Sequence, residues 1–486
     1  MKSVIIIGSG FSSLASACYM AKAGYQVTVL EKNEQLGGRA SLWEHKGFRF
    51  DMGPSWYWMP DVFERFFNDF DKKPSDYYQL EKLSPAYRVI FGKNDYIDIA
   101  DNLKDITQTF EGIEPGSGNK VLKFIEAAGK NYQVAMQNLV YNPGLSIMEL
   151  VSAESAARLN LFVQNISRQI RNKIKNPKLR SILEFPVLFL GAKPSKTPAF
   201  YNFMNFADFG LGTWYPKGGF NAVAMGIVQL AEELGVNFQV NEKVDGFDYK
   251  EGKIFSVNTE KNKYNADIVI SGADYAHTEK LLSENRNYTE EYWQKKTFAP
   301  SSLLYYVAFN RKVNHLLHHN LFFDTDFEAH AEEIYDTKVF PKKPLFYANF
   351  SSKTDDSLAP DGMEIGFFLI PLAVDLDDSE EIREKYFRII LDRIKKCTGE
   401  DLKDAVLFKR SFGVNDFKER YNSCRGNAYG LANTLLQTSF LRPSIRNKKI
   451  KNLFYTGQLT VPGPGVPPAI ISGKVVTDYI LKNFGQ

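Results

Sequence analysis

The chain has 486 residues, 44% of them apolar, and a formal net charge of only +3. It is too long for one simple core, so two or three structural domains are expected, and so even a charge balance argues against a nucleic-acid binder. Its three cysteines, Cys18, Cys397 and Cys424, are far apart and odd in number, which fits reduced intracellular thiols and neither a disulfide framework nor a zinc site.

Residues 3–7 (SVIII) read as a buried parallel strand, because they are β-branched and nearly all apolar. This strand starts so early that no signal peptide is expected. Gly8, Ser9 and Gly10 make a turn, residues 12–23 read as a helix with small residues on its early face, and Gly24 ends it. Residues 25–32 (YQVTVLEK) read as a second strand with Glu31 at its carboxyl end. In this order Gly8 permits the tight turn and Gly10 lets the backbone approach a pyrophosphate at the positive end of the helix. Glu31 is placed to accept from ribose hydroxyls, and its charge disfavours a 2′-phosphate. Ser13 stands where a third glycine is usual. That glycine serves helix–strand packing, so ligand binding is expected to survive the exchange.

Directly after this unit comes NEQLGGRAS (33–41), in which Gly37 and Gly38 permit a second close backbone approach and Arg39 can reach a diphosphate. Further along, residues 120–200 read as mainly helical. Within 158–180 the cations Arg158, Arg168, Arg171, Lys173, Lys175, Lys178 and Arg180 occur without an acid. Leu159, Phe162, Val163, Ile166, Ile170 and Ile174 recur at helical spacing among them. Two readings stand: a basic amphipathic helix lying on an anionic bilayer, or a solvated basic face over the core. The longest apolar runs, such as FPVLFL (185–190), are far short of a membrane span, so any membrane association is peripheral.

The stretches 301–310 and 364–373 read as strands and 379–396 as a helix, together suiting a mixed sheet that floors a cavity. HLLHH (315–319) has no acid or cysteine placed to complete a metal site and reads as a polar loop before the strand LFFD. At the far end, NLFYTG (452–457) is a strand running into glycine. The Gly/Pro-rich turn PGPGVPPA and a helix from about Pro468 come next. Strand, turn and helix N-terminus in that order bring backbone N–H groups against a ligand; the alternative is a rigid surface turn.

Taken in order, GSGFSS, EKNEQLGGRAS, FDMGPSWYWMP (50–60), WYPKGGFNAVAMGIVQLAEELGV (214–236), ADIVISGADY (266–275), RGNAYGLANTLLQTSFLRP (425–443) and PGPGVPPA resemble the bacterial carotenoid (phytoene) desaturases. These are FAD-dependent members of the amine oxidase and desaturase flavoproteins. The resemblance spans nearly the whole length, is specific at both ends and looser in the middle. It implies an α/β fold with a Rossmann-like FAD domain built from 1–80, 213–285 and 425–486. A mixed-sheet substrate domain (81–130 and 286–424) and a helical, membrane-associating subdomain (131–212) would complete it.

By the same resemblance Gly8, Gly10, Glu31, Gly38 and Arg39, with Phe11, Ser12 and Lys32 beside them, hold the adenine-ribose-diphosphate half. Val244, placed at the end of the strand NFQVNEKV, meets the adenine. Gly53, Pro54 and Ser55 lie near the flavin, and Gly457, Gln458, Gly465 and Val466 cover the ribityl chain and ring. Gln458 departs from the acid that many related flavoproteins carry there.

The implied reaction removes a hydride, taken by flavin N5, and a proton from neighbouring saturated carbons of a lipophilic polyene, phytoene toward lycopene. Quinone or oxygen is the expected acceptor, since no second dinucleotide motif is visible. A peripheral place on the inner membrane, facing the cytoplasm, goes with it. No catalytic residue is assigned: Asp274, His277 and Arg425 lie near family motifs, but the first two are equally explained as loop or cap residues. The readings that compete are a later or C30 carotenoid substrate, an amine oxidase-like enzyme, a flavin-dependent carotenoid isomerase, and a lipid escort protein that has lost the redox chemistry.

Overall fold

The computed structural model describes residues 2–150, 161 and 164–484. Two sheets organise it. The first is a five-stranded, all-parallel sheet. Its strands lie in the order Leu453–Tyr455, Ile268–Ser271, Ser3–Ile7, Gln26–Leu30, Asn237–Gln239. The first strand in sequence therefore sits in the middle, and successive strands are added on opposite sides of it. That is a topological switch point, and the crevice beyond the carboxyl ends of such strands is where open α/β sheets bind ligands.

Helix Phe11–Lys22 comes after the central strand and is buried from Phe11 to Met20. Its small residues let the C-terminal helix Val466–Phe484 approach closely: a Cβ on Gly473 would lie 2.6 Å from the Ser12 carbonyl oxygen. The missing third glycine is explained at the other face of the first helix. A Cβ on Gly272 would lie 2.0 Å from Ser13 Oγ, so the serine fills space that glycine leaves free on the strand side. The small-residue requirement has moved across the helix–strand contact. Ser13→Gly then opens only a small void, with an expected cost of about 1 kcal/mol or less. Flavin content per chain, read by absorbance, is expected to stay within a few per cent of the parent; a colourless Ser13→Gly protein would contradict this packing role.

The second sheet has seven strands, in the order Val406–Phe412, Ser301–Phe309, Glu364–Leu372, Phe346–Asn349, His319–Phe322, Tyr87–Gly92, Asp95–Ile99. It is antiparallel except where His319–Phe322 runs parallel to Tyr87–Gly92, so the expected mixed sheet is present. The strand Ser301–Phe309, second in this order, is buried along its whole length, which suits its apolar run LLYYVAF.

Three local expectations need correction. Val244 does not end a strand: Asn237–Gln239 stops first, and Val244 opens the strand Val244–Lys250, paired with Thr259. The HLLHH stretch is not a polar loop, for His318 and His319 are 6% and 0% exposed and His319 begins a sheet strand. The C-terminal helix starts at Val466, two residues earlier than read, because proline is tolerated in a first helical turn.

The basic stretch 158–180 is not one amphipathic helix either. Residues 158–160, 162 and 163, which include Arg158, Leu159, Phe162 and Val163, lie outside the described residues. The remainder forms two short helices, Ile166–Arg171 and Pro177–Glu184, each capped by the side chain of an asparagine, Asn165 and Asn176. Pro177 cannot continue a helix from before it, and the asparagine caps start each one anew. Ile166, Ile170 and Ile174 are buried in the core, so this apolar face is already covered. Acids from other segments answer two of the cations: Lys178 bonds Asp95, and Arg171 pairs with Glu184 and Glu328. Among the described residues no helix is long and apolar enough to cross a membrane.

Candidate functional site: a cofactor cradle opening into an apolar chamber

The crevice at the switch point belongs to one continuous cavity of about 590 Å³. All sixteen residues singled out from sequence line it: Gly8, Gly10, Phe11, Ser12, Glu31, Lys32, Gly38, Arg39, Gly53, Pro54, Ser55, Val244, Gly457, Gln458, Gly465 and Val466. They come from three separated stretches of chain, so the fold brings together what the sequence holds apart.

The cradle end is built from backbone. Gly8 turns the chain at φ +87°, and Gly38, at φ +58°, lies so close that a Cβ on it would sit 3.0 Å from Gly10 Cα. The Gly37 N–H donates to the Ser9 carbonyl at 3.1 Å and ties the two glycine turns together. Gly10 is the N-cap of helix Phe11–Lys22, and no side chain caps that helix. Its first N–H groups therefore lack a side-chain acceptor at the cavity wall, which is the arrangement that accepts a phosphate.

Glu31 makes four hydrogen bonds within the chain. One oxygen accepts from the Ser9 N–H and hydroxyl (2.9 and 2.7 Å), and the other from the Asn33 N–H and side-chain amide (2.9 and 2.8 Å). Glu31 thus clamps the phosphate turn to the end of the second strand while facing the cavity. The reason is local: Ser9 and Asn33 carry side-chain donors within reach of the same carboxylate.

Arg39 is the cation of this end. Its Nη2 donates to Ser423 Oγ (2.7 Å) and the Asn427 carbonyl (3.2 Å), while its Nε is buried with no partner. Burial holds its pKa below the usual guanidinium value. Arg420, which no sequence motif marks, also lines the cavity with a buried, unpartnered Nε, though its Nη2 is paired with Glu34 at 2.9 Å. Two desolvated guanidinium N–H groups in a cavity that also holds an uncapped helix N-terminus fit the diphosphate of a dinucleotide. Lys32, by contrast, is already engaged by the Glu419 carbonyl (2.7 Å) and Asn422 (3.2 Å).

The second residue that sequence reasoning misses is Arg442. It is 3% exposed, and all five of its N–H donors are used on oxygens of the chain. These are the carbonyls of Leu431, Gln437, Gln458 and Thr460 and the side chain of Asn433, at 2.7–3.4 Å. Among the described residues no carboxylate pairs with it, and burial pushes its pKa down to about 10. Arg442 sits behind Gln458 and Asn433, both cavity residues, and knots the Gly/Pro turn to the preceding segment. Only its apolar sequence surroundings, SFLRP, hint at burial.

Of the three residues left open, Asp274 caps helix Tyr275–Leu281 and also accepts from the Cys424 N–H at 3.0 Å. His277 meets Asn422 through Nε2 at 3.1 Å, and burial pushes its pKa down to about 4. Both line the cradle end of the cavity. Arg425 does not reach the cavity and pairs with Asp375 at 2.5 Å.

Past Gly53, Pro54 and Ser55 the lining changes character. Trp56 stacks on His319 with centroids 4.2 Å apart, and Trp58, Phe185, Phe189 and Tyr347 surround it. The run FPVLFL forms part of this wall through Phe185, Leu188, Phe189 and Leu190. Phe200, Phe203, Met204, Leu321, Phe323 and Phe327 extend it. Such a chamber offers apolar area and little hydrogen bonding, so it binds by the hydrophobic effect, about 25 cal/mol per Å² removed from water.

Comparison with known proteins gives the family. The model of the flavin containing amine oxidoreductase family matches residues 11–481. The chain belongs to that family. It is an FAD-dependent oxidoreductase, and the unpartnered Nε groups of Arg39 and Arg420, two residues of the cavity wall, fit that cofactor. Among family relatives, a carotenoid 3,4-desaturase of Haloarcula japonica is 41% identical, with 99% of this chain and 98% of the relative covered. A zeta-carotene-forming phytoene desaturase of Myxococcus xanthus is 30% identical over 98% and 93% of the two chains. Among solved structures, an oxidoreductase from Methanosarcina mazei superposes with a TM-score of 0.64 at 17% identity, covering 98% of this chain and all of that one. At that identity it speaks for the fold alone.

Proposed function

We propose that this enzyme desaturates a carotenoid-like polyene, taking a hydride and a proton from adjacent carbons. The observation that carries the reading is the aromatic and aliphatic chamber that continues from the cofactor cradle. A hydrocarbon offers nothing to hydrogen-bond, so only apolar burial of this kind holds it in register. FAD, when bound, supplies the two-electron acceptor. The chain supplies the rest: a cradle for the diphosphate, a Gly/Pro turn held by Arg442, and walls that keep water out. The named relatives desaturate different carotenoids, and phytoene toward lycopene is the first conversion to test. Under this reading 1–80, 213–285 and 425–486 form the cofactor domain and the remainder serves the substrate.

The test is incubation of the FAD-loaded protein with phytoene in liposomes. The expected product is lighter by two hydrogens for each step and absorbs at longer wavelength. Unchanged mass with altered spectrum means an isomerase, and oxidation of amines with none of polyenes means an amine oxidase; either overturns the reading. Reoxidation by quinone or oxygen goes with it, and stopped-flow reoxidation by NAD⁺ as fast as by quinone would contradict that part.

A lipid-borne substrate needs a surface through which to enter. Leu145, Ile147, Met148, Leu436 and Leu441 are 38–76% exposed. Their two segments adjoin, since Gly144 packs against the Ser439 backbone and the Val461 side chain. Leu139, Val140, Thr438 and Ser439, from the same segments, line the cavity. We place the membrane-facing surface here, in place of residues 158–180. Replacing Ile147, Met148 and Leu436 by glutamate together is expected to lower liposome co-sedimentation at least tenfold with flavin content unchanged; equal co-sedimentation would rule this surface out as the membrane contact.

A further inference from the structure

Trp56 directly follows Gly53, Pro54 and Ser55 and lines the cavity where its wall turns apolar. The rings of Trp58, Tyr87, Phe185, Phe189, His319 and Tyr347 enclose it, with centroids 4.2–6.0 Å away. Trp56 is nevertheless only half-buried, whereas Trp58, Phe185 and Tyr347 are 5–6% exposed. Enclosed by rings on the protein side, it keeps that surface toward the cavity. His319 covers one indole face, 11° from parallel. Its Nδ1 takes the Asn349 amide N–H at 3.2 Å, since the Asn349 oxygen is held by the Ser351 N–H. A ring nitrogen that accepts carries no proton, and burial, with His318 beside it, holds the His319 pKa well below its usual value. The ring behind the indole is therefore neutral.

Removing a hydride leaves positive charge on a polyene. Among the described residues, the carboxylates that line the cavity are Glu31, Glu242 and Asp274. All belong to the cradle end, where the Glu242 N–H donates to the Glu31 carbonyl at 2.8 Å. What the chamber itself offers a cation is the negative face of its rings. We propose that Trp56 is a catalytic residue, whose indole lies against the carbon that loses the hydride and stabilises the positive charge that develops there. This rests on the desaturase reading. In the step, one C–H bond breaks and the hydrogen leaves with both electrons to the flavin, so the polyene is oxidised and the flavin reduced. The charge left behind is shared by the double bonds of the polyene and stabilised by the indole. A neighbouring C–H then gives its proton to solvent water, and its electron pair becomes the new double bond. The contact strengthens only as charge grows, so it lowers the barrier without tightening the hold on the neutral polyene.

The experiment uses the FAD-loaded protein with a tryptophan carrying one, two or three fluorines at position 56, which drains charge from the ring face at nearly constant shape. Flavin bleaching is followed anaerobically in single turnovers with a plain polyene, and the dissociation constant of that polyene is read separately from its absorbance change. The logarithm of the bleaching rate is expected to fall in even steps with each fluorine, by about tenfold or more over three, with the dissociation constant held within about twofold. Trp56→Leu is expected to bleach at least about tenfold more slowly. A merely structural role would move binding or flavin content and give no such slope. A polyene analogue with a quaternary ammonium in its chain is compared with its neutral isostere, and its relative affinity is expected to fall along the same series. A parent that bleaches its flavin at a rate indifferent to fluorination at position 56 overturns the proposal. A parent that binds the polyene and never bleaches overturns the desaturase reading instead. A sloping ammonium affinity in that case leaves Trp56 standing as a cation site, and a flat one removes it too.

Discussion

Gly10→Val is expected to give a folded, colourless protein. The position differs from its neighbours. Gly8 needs φ +87°, and a Cβ on Gly38 would press on Gly10 at 3.0 Å, so substitution at either strains the backbone itself. Gly10 has φ −72°, which any residue adopts, and its Cβ would meet no protein atom within 4 Å. The space it would enter is the cavity at the N-terminus of helix Phe11–Lys22. The folding cost is therefore small, about 1 kcal/mol for a poorer N-cap. The loss falls on the ligand, whose phosphate needs that volume and those N–H groups. Flavin occupancy is expected to drop at least a hundredfold while the melting temperature moves by only a few degrees. Retained flavin in a folded Gly10→Val protein would show that the diphosphate binds elsewhere.

Arg442→Met is expected to destabilise the protein by about 3–5 kcal/mol, since several buried neutral oxygens lose their donor at about 1–3 kcal/mol for each left unsatisfied. Methionine fills the volume but leaves five oxygen acceptors without their donor. Buried carbonyls so abandoned are costly, and no water-filled route replaces five bonds at once. Lysine keeps the charge, yet one ammonium has three donors and no planar fork. Arg442→Lys is thus expected to recover less than half of the loss in urea unfolding. Since Gln458 and Asn433 belong to the cavity wall, flavin affinity is expected to fall in step with stability. A Met variant as stable as the parent would show that the arginine is not the knot of this turn.

Much of this site is legible along the chain because its logic is local. Strand, glycine turn, helix and strand succeed one another within about thirty residues, and each part has its own sequence cause. The far half, PGPGVPPA, is also legible by its own glycine and proline content. Partnerships across the chain are what a linear pattern hides. The pattern points Glu31 at a ribose and does not show that the same carboxylate also clamps Ser9 and Asn33. Residues 158–180 have helical spacing and no acids, but Asn165, Asn176 and Pro177 divide them, and Asp95, Glu184 and Glu328 pair with two of their cations. Arg442 looks like an ordinary surface residue until its burial is known, because nothing in a linear pattern tells which oxygens will surround a guanidinium. Ser13 shows the opposite case. A departure from the usual turn is harmless because Gly272, far along the chain, supplies the missing space.

That an FAD cradle opens onto a chamber where a polyene gives up its hydrogens is tested most directly without any acceptor. The purified, FAD-loaded protein is mixed under anaerobic conditions with a stoichiometric amount of polyene in detergent, and the visible flavin band is followed together with product mass. The oxidised flavin band is expected to bleach as the polyene gains double bonds, one for each flavin reduced, and Gly10→Val is expected to do neither. A polyene that leaves the flavin band unchanged under these conditions, or that changes without bleaching it, would show that the cradle and the chamber do not work together in this way.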